Sequence, residues 1–184
     1  MKSTWTLDTA HTQADFSAKH LMISTVRGHF AGIAGTIELD EDDLTNSTVV
    51  VAIDATTVDT GMAQRDGHLR GADFFDVATY PTITFRSTKV EKAGAEYRIA
   101  GDLTIRDVTR SVVLDAEFLG IVPSMQGGRH AGFSATTKID REDWGLTWNV
   151  GLESGGWLVG KEITLTIDAA ADAAIADAAA AATA

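Results

Sequence analysis

The sequence predicts an all-β domain of about eight antiparallel strands interrupted by one short helical insert. Three observations carry that expectation. Apolar and polar residues alternate with a period of two through most of the chain between Thr4 and Asp168, which puts apolar groups on one face of each pleated strand. Short runs of turn-forming residues separate the stripes. A single stretch, residues 60–79, breaks the alternation convincingly. Strands of this kind close as a barrel or stack as a sandwich, and an eight-stranded barrel holds either a side-chain core or one small ligand.

Taken in chain order, residues 12–20 carry Ala14, Phe16, Ala18 and His20 on the even, apolar phase. The run from Arg27 to Leu39 changes phase: Phe30 sits on one, Ile33, Ile37 and Leu39 on the other, with Gly28, Gly32 and Gly35 at the change. A long bent strand with a bulge accounts for both facts. The acidic run from Asp40 to Asn46 reads as a hairpin loop, followed by a strand with Val49, Val51 and Ile53 in phase. Residues 60–70 read as a short helix with Thr60 a candidate cap, and residues 73–79 add one more turn before Tyr80-Pro81, where proline forces its predecessor into extended geometry. Further stripes carry Ile83 and Phe85; Tyr97, Ile99, Leu103 and Ile105; Val112, Leu114, Ala116 and Phe118; Phe133, Ala135, Thr137 and Ile139; and Ile163, Leu165 and Ile167. Lys92–Ala95 and Pro123–Gly128 supply the remaining hairpin loops. The 23 threonines suit the outer face, because β-branched side chains fit strands. Residues 169–184 are mostly alanine and read as a dispensable tail, which sets a barrel domain at 1–168 and a tail at 169–184.

Composition narrows function mainly by exclusion. The chain has 184 residues, 45% of them apolar, enough for one domain with a sizeable core. It has no Cys, so thiol nucleophiles, disulfides and Cys-ligated zinc are excluded, and the redox compartment is left open. A net charge of −11 argues against electrostatic binding to nucleic acid or anionic membrane. No stretch is apolar enough for a membrane span, and the N-terminus lacks a signal-peptide core. Cytoplasmic location is the simpler expectation, with a mature form carrying a new Met as the alternative.

The candidates for chemistry are weak. His11, His20, His29, His68 and His130 match no zinc-ligand spacing, and are expected to be structural or solvated. His20 shares the apolar phase of its strand, where it is either a satisfied core histidine or a contact for a ligand's polar head. No serine lies in a nucleophile elbow. The paired acids Asp42-Asp43 and Glu142-Asp143 sit in loop-like runs, and Arg27–Gly32 reads as a bend rather than a phosphate loop. Arg65-Asp66 reads as a pair fixing the insert to the barrel, with catalysis the less favoured reading. Phe74 and Phe75 either plug one end or line a portal. Trp144, Trp148 and Trp157 fall in a Gly-containing stretch of poor periodicity and suggest a packed loop over an opening.

Four groups of residues resemble the YceI-like family. They are Asp8-Thr-Ala-His11 with Phe16, Lys19-His20-Leu21, Val26–Phe30 and Gly35; Arg65–Leu69 with Asp73–Val77 and Tyr80–Phe85; Gly101–Arg110; and Arg141–Gly145. The resemblance spans roughly residues 5–168, with the motifs in order. It departs at Asp107, where the family usually has Gly; Asp tolerates a turn with more strain, so the local bend is expected to be kept. The family implies an extended, lipocalin-like antiparallel barrel with a helical insert that binds polyisoprenoids or similar amphiphiles. The expected function is therefore a carrier, not an enzyme, holding a long-chain isoprenoid or other lipid in an apolar tunnel. The expected lining is Phe16, His20, Phe30, Val51, Ile53, Leu69, Phe74, Phe75, Phe85, Ile99, Leu103, Phe133, Trp144 and Leu165. No catalytic residue, metal or cofactor is expected, nor nucleic-acid binding or membrane insertion; a homodimer is left open. An enzyme acting on such a lipid and a filled barrel acting through its surface are the alternatives.

Overall fold

A computed structural model describes residues 2–124 and 127–173 of the chain. Its strands are β1 (Lys2–Leu7), β2 (Gln13–His20), β3 (Ser24–Phe30), β4 (Ile33–Asp40), β5 (Thr48–Asp54), β6 (Thr82–Ala93), β7 (Glu96–Ile105), β8 (Val108–Pro123), β9 (Arg129–Asp140) and β10 (Val159–Ala173). One helix, α1 (Ala63–Arg70), and short 3-10 turns at Leu44–Asn46, Ala55–Thr57 and Arg141–Trp144 complete the elements. All strand pairs are antiparallel. They run β1-β4-β5-β6-β7-β8-β9-β10 and return from β10 to β1, closing an eight-stranded barrel. No described helix is long and apolar enough to cross a membrane.

Two of the eight barrel positions are filled by broken strands. The first part of β10 pairs with β2, from Ile163↔Ala18 to Asp168↔Gln13. Its end pairs with β1, at Leu7↔Ala171, Thr6↔Asp172 and Trp5↔Ala173. Thus β1 and β2 share one edge of β10. The break between them is pinned to that strand: Asp8 N–H donates to the Ala170 carbonyl at 2.8 Å, and the Thr12 hydroxyl meets both Ala170 N–H and C=O at 3.2 Å. Likewise β3 and β4 form the long bent strand that the glycines predict, with the bend at Ala31-Gly32.

The residues that sequence periodicity places inward are the ones that become buried. Ile83 and Phe85 of β6, Leu103 and Ile105 of β7, and Val112 of β8 form one core cluster with Phe30, Val58, Phe74 and Leu146. A second cluster gathers Trp5, Leu7, Ile33, Ile37, Leu39, Ala131 and Ala171 near the closing seam. The free edge of β3 is met by the insert, residues 55–81, through paired backbone bonds between His29 and Asp59 at 2.9 and 3.0 Å. Glycine is required beneath it: a Cβ at Gly28 would lie 2.4 Å from the Phe16 ring and 2.7 Å from Thr60 Cγ2.

Four expectations are corrected. The helix begins at Ala63, not Thr60, and its cap position, Met62, makes no side-chain bond. Thr60 is instead gripped by Asp66, and Gly61 at φ 74° breaks the chain between them. Residues 73–79 form hydrogen-bonded turns rather than helix, with Asp76 at φ 47°. In the two-residue β7–β8 turn the positive φ of 57° falls on Arg106, so the strain is not at Asp107. Finally, β10 runs five residues into the stretch read as a tail, and Ala171 is fully buried against the Trp5–Leu7 cluster. The barrel therefore includes residues 169–173; residues 174–184, the rest of that stretch, lie outside the described residues.

Across the seam, Arg129 of β9 makes two 2.7 Å bonds to the Glu41 carboxylate and stacks 5.1 Å over the Trp5 ring. Its guanidinium holds the Glu41 carboxyl below the usual glutamate range. A lowered carboxyl pKa contributes stability above its unfolded value that is lost as pH falls through the folded value. Arg129→Gln should raise the Glu41 titration midpoint, read by carboxyl NMR, and shrink the acid-side loss of stability; an unmoved midpoint would show the contact absent in solution. Truncation after Asp168 removes the β1–β10 pairs and should abolish cooperative folding or lower the melting temperature by about 4–12 °C, as losing about 2–3 kcal/mol does at this size. Truncation after Ala173, which keeps those pairs, is the reference, and equal melting of the two would contradict the closure.

Candidate functional site

The barrel encloses a cavity of about 860 Å³. Every strand of the ring contributes to its wall. Phe16 and Ala18 come from β2, Ile37 and Leu39 from β4, Val49, Val51 and Ile53 from β5, Phe85 from β6, Ile99 and Leu103 from β7, Leu114 and Phe118 from β8, Phe133 and Ile139 from β9, and Leu165 and Ile167 from β10. The reason is simple alternation in a closed sheet. One phase of each strand must point to the axis, and on every strand that phase is apolar here. At Val51↔Phe85 and Phe85↔Leu103 three cavity-lining residues stand side by side in register.

Of the fourteen residues expected at the lining, thirteen are there: Phe16, His20, Phe30, Val51, Ile53, Leu69, Phe74, Phe75, Phe85, Ile99, Leu103, Phe133 and Leu165. Trp144 is not. It is buried in the core cluster, and its indole N–H donates to the Leu103 carbonyl at 3.1 Å, so it braces the wall from behind. Trp148, four residues further along the same irregular segment, does line the cavity; Trp157 is exposed. Phe16, Phe30 and Phe75 form a chain of ring contacts, each step 5.6 Å between centroids, that joins β2 and β3 to the insert.

The insert contributes polar groups to the wall. Thr60, Gln64, Arg65 and His68 line the cavity with Lys19 and His20 of β2 and with Arg141 at the end of β9. Arg65 donates from Nε to the Thr60 hydroxyl at 2.7 Å and from Nη2 to the Thr60 carbonyl at 2.9 Å. Asp66, buried, accepts from the Thr60 N–H at 2.9 Å and its hydroxyl at 2.6 Å. Both charged neighbours thus lock one threonine, which packs on Gly28 of β3. Arg70 adds bonds to the Thr56 and Val58 carbonyls. His68 meets Asp73 at 2.9 Å and stands edge-on to Phe74 and Trp148.

Arg141 is a cavity-lining residue that the sequence reading left out of the expected lining. Its motif was visible, but a charge in a loop-like run reads as solvated. The fold instead buries it to 5% exposure among backbone carbonyls of residues 146, 159 and 160. The histidines also gain partners that spacing could not show: His11 pairs with Asp8 at 2.6 Å and His130 with Asp172 at 2.7 Å. Asp8, His130 and Asp172 bring one ligand atom each within 4.8 Å of one another, a set that could hold a metal ion. Two of its three members are already joined to each other, and Asp8 is held by His11.

A model of the YceI-like domain matches residues 5–171. The chain belongs to the YceI-like family. Protein YceI of Escherichia coli O157:H7 is 42% identical over 141 residues, covering 77% of this chain and 74% of that protein. The Campylobacter jejuni YceI crystal structure is 34% identical, with a TM-score of 0.71 over 84% of this chain and 88% of that one. A polyisoprenoid binding domain from Saccharophagus degradans, implicated in plant cell wall breakdown, has a TM-score of 0.66 at 16% identity, covering 95% of this chain and all of its own; at that identity it shares the fold. Within this YceI-like barrel the insert's lock is the feature most open to test. Asp66→Ala leaves Thr60 N–H and hydroxyl unpaired, and should destabilise by about 1–3 kcal/mol in urea unfolding. An unchanged midpoint would show that the lock does not hold the insert.

Proposed function

We propose that this YceI-like barrel carries one long-chain isoprenoid or similar lipid in its central cavity. The observation that supports this most is the cavity itself, about 860 Å³ and apolar along every strand. Ligand sites of small molecules run from roughly 300 to 1,000 Å³, mostly apolar with a few polar groups. Each methylene moved from water into such a wall gains about 0.8 kcal/mol. A chain of some twenty carbons therefore gains roughly 15 kcal/mol before the association cost of about 4–15 kcal/mol. Affinity on this account comes from chain length. The fold shared with a polyisoprenoid binding domain supports the same reading.

The site's chemistry favours a carrier over an enzyme. Thr60 is the cavity-lining hydroxyl nearest to charged groups, and it is committed to Arg65 and Asp66. Among the described residues, no cavity-lining hydroxyl is hydrogen-bonded to a histidine, the pairing that activates a nucleophile. A void of this size also counts against a barrel filled with its own side chains.

Val51→Trp separates these readings. Val51 lies mid-wall, in register with Gly35 on one side and Phe85 on the other. In a ligand-holding cavity the indole occupies ligand space, so the delipidated variant should change stability by less than about 1 kcal/mol, where an overpacked core loses about 1–3. Lipid recovered by organic extraction and mass spectrometry should fall by at least half. Strong destabilisation, together with no lipid in the parent protein, would overturn the carrier.

A further inference from the structure

The cavity wall is not chemically uniform. Four nitrogen-bearing side chains gather at one end. Arg65 and His68 lie three residues apart on α1, on one helix face. His68 touches Phe74, with ring centroids 5.0 Å apart, and the Arg141 guanidinium lies 6.0 Å from the same Phe74 ring. Arg141 also meets the Val159 carbonyl, and Val159 stands opposite His20 in the β10–β2 register. All four line the cavity.

Arg141 is the informative member. It is 5% exposed, yet no carboxylate among the described residues lies within ion-pair distance of it. Glu142 is engaged by Lys161 at 2.6 Å, and Asp140 caps the 3-10 turn through Glu142 N–H. Its donors go to neutral carbonyls: Nε to Gly160, Nη1 to Leu146 and, at 3.5 Å, Nη2 to Val159. A guanidinium has five N–H groups, so two are left over. A cation so buried ordinarily has an anionic partner, because taking it out of water is costly. The acids that also reach the wall, Asp15 and Glu117, sit on β2 and β8 next to the inward Phe16 and Phe118, not beside Arg141. Asp73 is taken by His68.

We propose that Arg141, with His20, His68 and Arg65 around it, forms a subsite for an anionic head group, phosphate or carboxylate, at one end of the lipid cavity. This rests on the carrier reading and adds the ligand's class to it: an acidic amphiphile, apolar chain along the barrel and head group at Arg141. The guanidinium supplies planar paired donors to either oxyanion.

The test uses the purified, delipidated full chain and two matched pairs of probes: geranylgeranyl phosphate against geranylgeraniol, and oleate against oleyl alcohol. In each pair the acid should bind roughly tenfold tighter or better, as a charge-assisted contact in an apolar site gives. The phosphate pair and the carboxylate pair, read separately, show which oxyanion the subsite takes. Arg141→Gln should collapse the preference, and Arg141→Lys should restore part of it. Because Arg141 also ties down three carbonyls, a second measurement needs no variant: side-chain nitrogen NMR of the Arg141 guanidinium should shift with the acid probe and not with its alcohol. Equal affinities within both pairs, or an unmoved guanidinium signal, overturn the subsite and leave the carrier standing. Failure of all four probes to bind overturns both.

Discussion

Closure of the sheet is the constraint on which the rest depends. Three residue pairs between β1 and β10 turn an open sheet into a ring. A ring has no edges to protect, but it has an inside, and one phase of every strand is committed to it. The seam is narrow, so the side chains around it have to fit closely. Ala131 and Ala171 are fully buried beside Trp5, and a larger residue at either position would push β1 away. Alanine is thus a packing requirement at Ala171, not filler.

The ring also explains the insert. Since β10 shares one edge between β1 and β2, β3 pairs with β2 on one side and has a free edge on the other. Residues 55–81 take up that edge at His29 and Asp59 and turn Phe74 and Phe75 inward to the cavity. The lock of Arg65 and Asp66 on Thr60 fixes where the insert sits relative to Gly28. The element that completes the wall therefore also carries part of its polar end, Arg65 and His68.

Much of this was legible in the sequence, for identifiable reasons. Phe16, Val51, Phe85 and Leu165 stand in clean alternation, and in a closed sheet an apolar phase has one direction to face. The bend at Ala31-Gly32 was legible because Phe30 and Ile33 sit in opposite phases. What failed were positions where alternation has no contrast or no period. A strand of alanines shows no hydropathy signal, so the last five residues of β10 read as tail. Trp144 and Trp148 lie in one aperiodic segment, and nothing in their spacing says that the first bonds Leu103 from behind while the second faces the cavity. The positive φ at Arg106 rather than Asp107 is a turn choice that composition does not encode.

Arg141 shows how the two kinds of information combine. Its charge is plain in the sequence and its burial is plain only in the fold, and the proposed subsite rests on having both. The surface carries a large negative charge, which at first sight argues against an acidic ligand. Screening decides the matter. Exposed charges further apart than about 8 Å are largely screened at physiological ionic strength, whereas a guanidinium surrounded by Phe74, Leu146 and the barrel wall is not. The acids that act on Arg141 are its neighbours Asp140 and Glu142, and Glu142 is itself engaged by Lys161. The same acidic surface would hold anionic membranes and nucleic acid at a distance while leaving a neutral apolar chain free to enter. On the proposed reading, the barrel admits the chain first and meets the head group only after desolvation, where a single buried charge counts most.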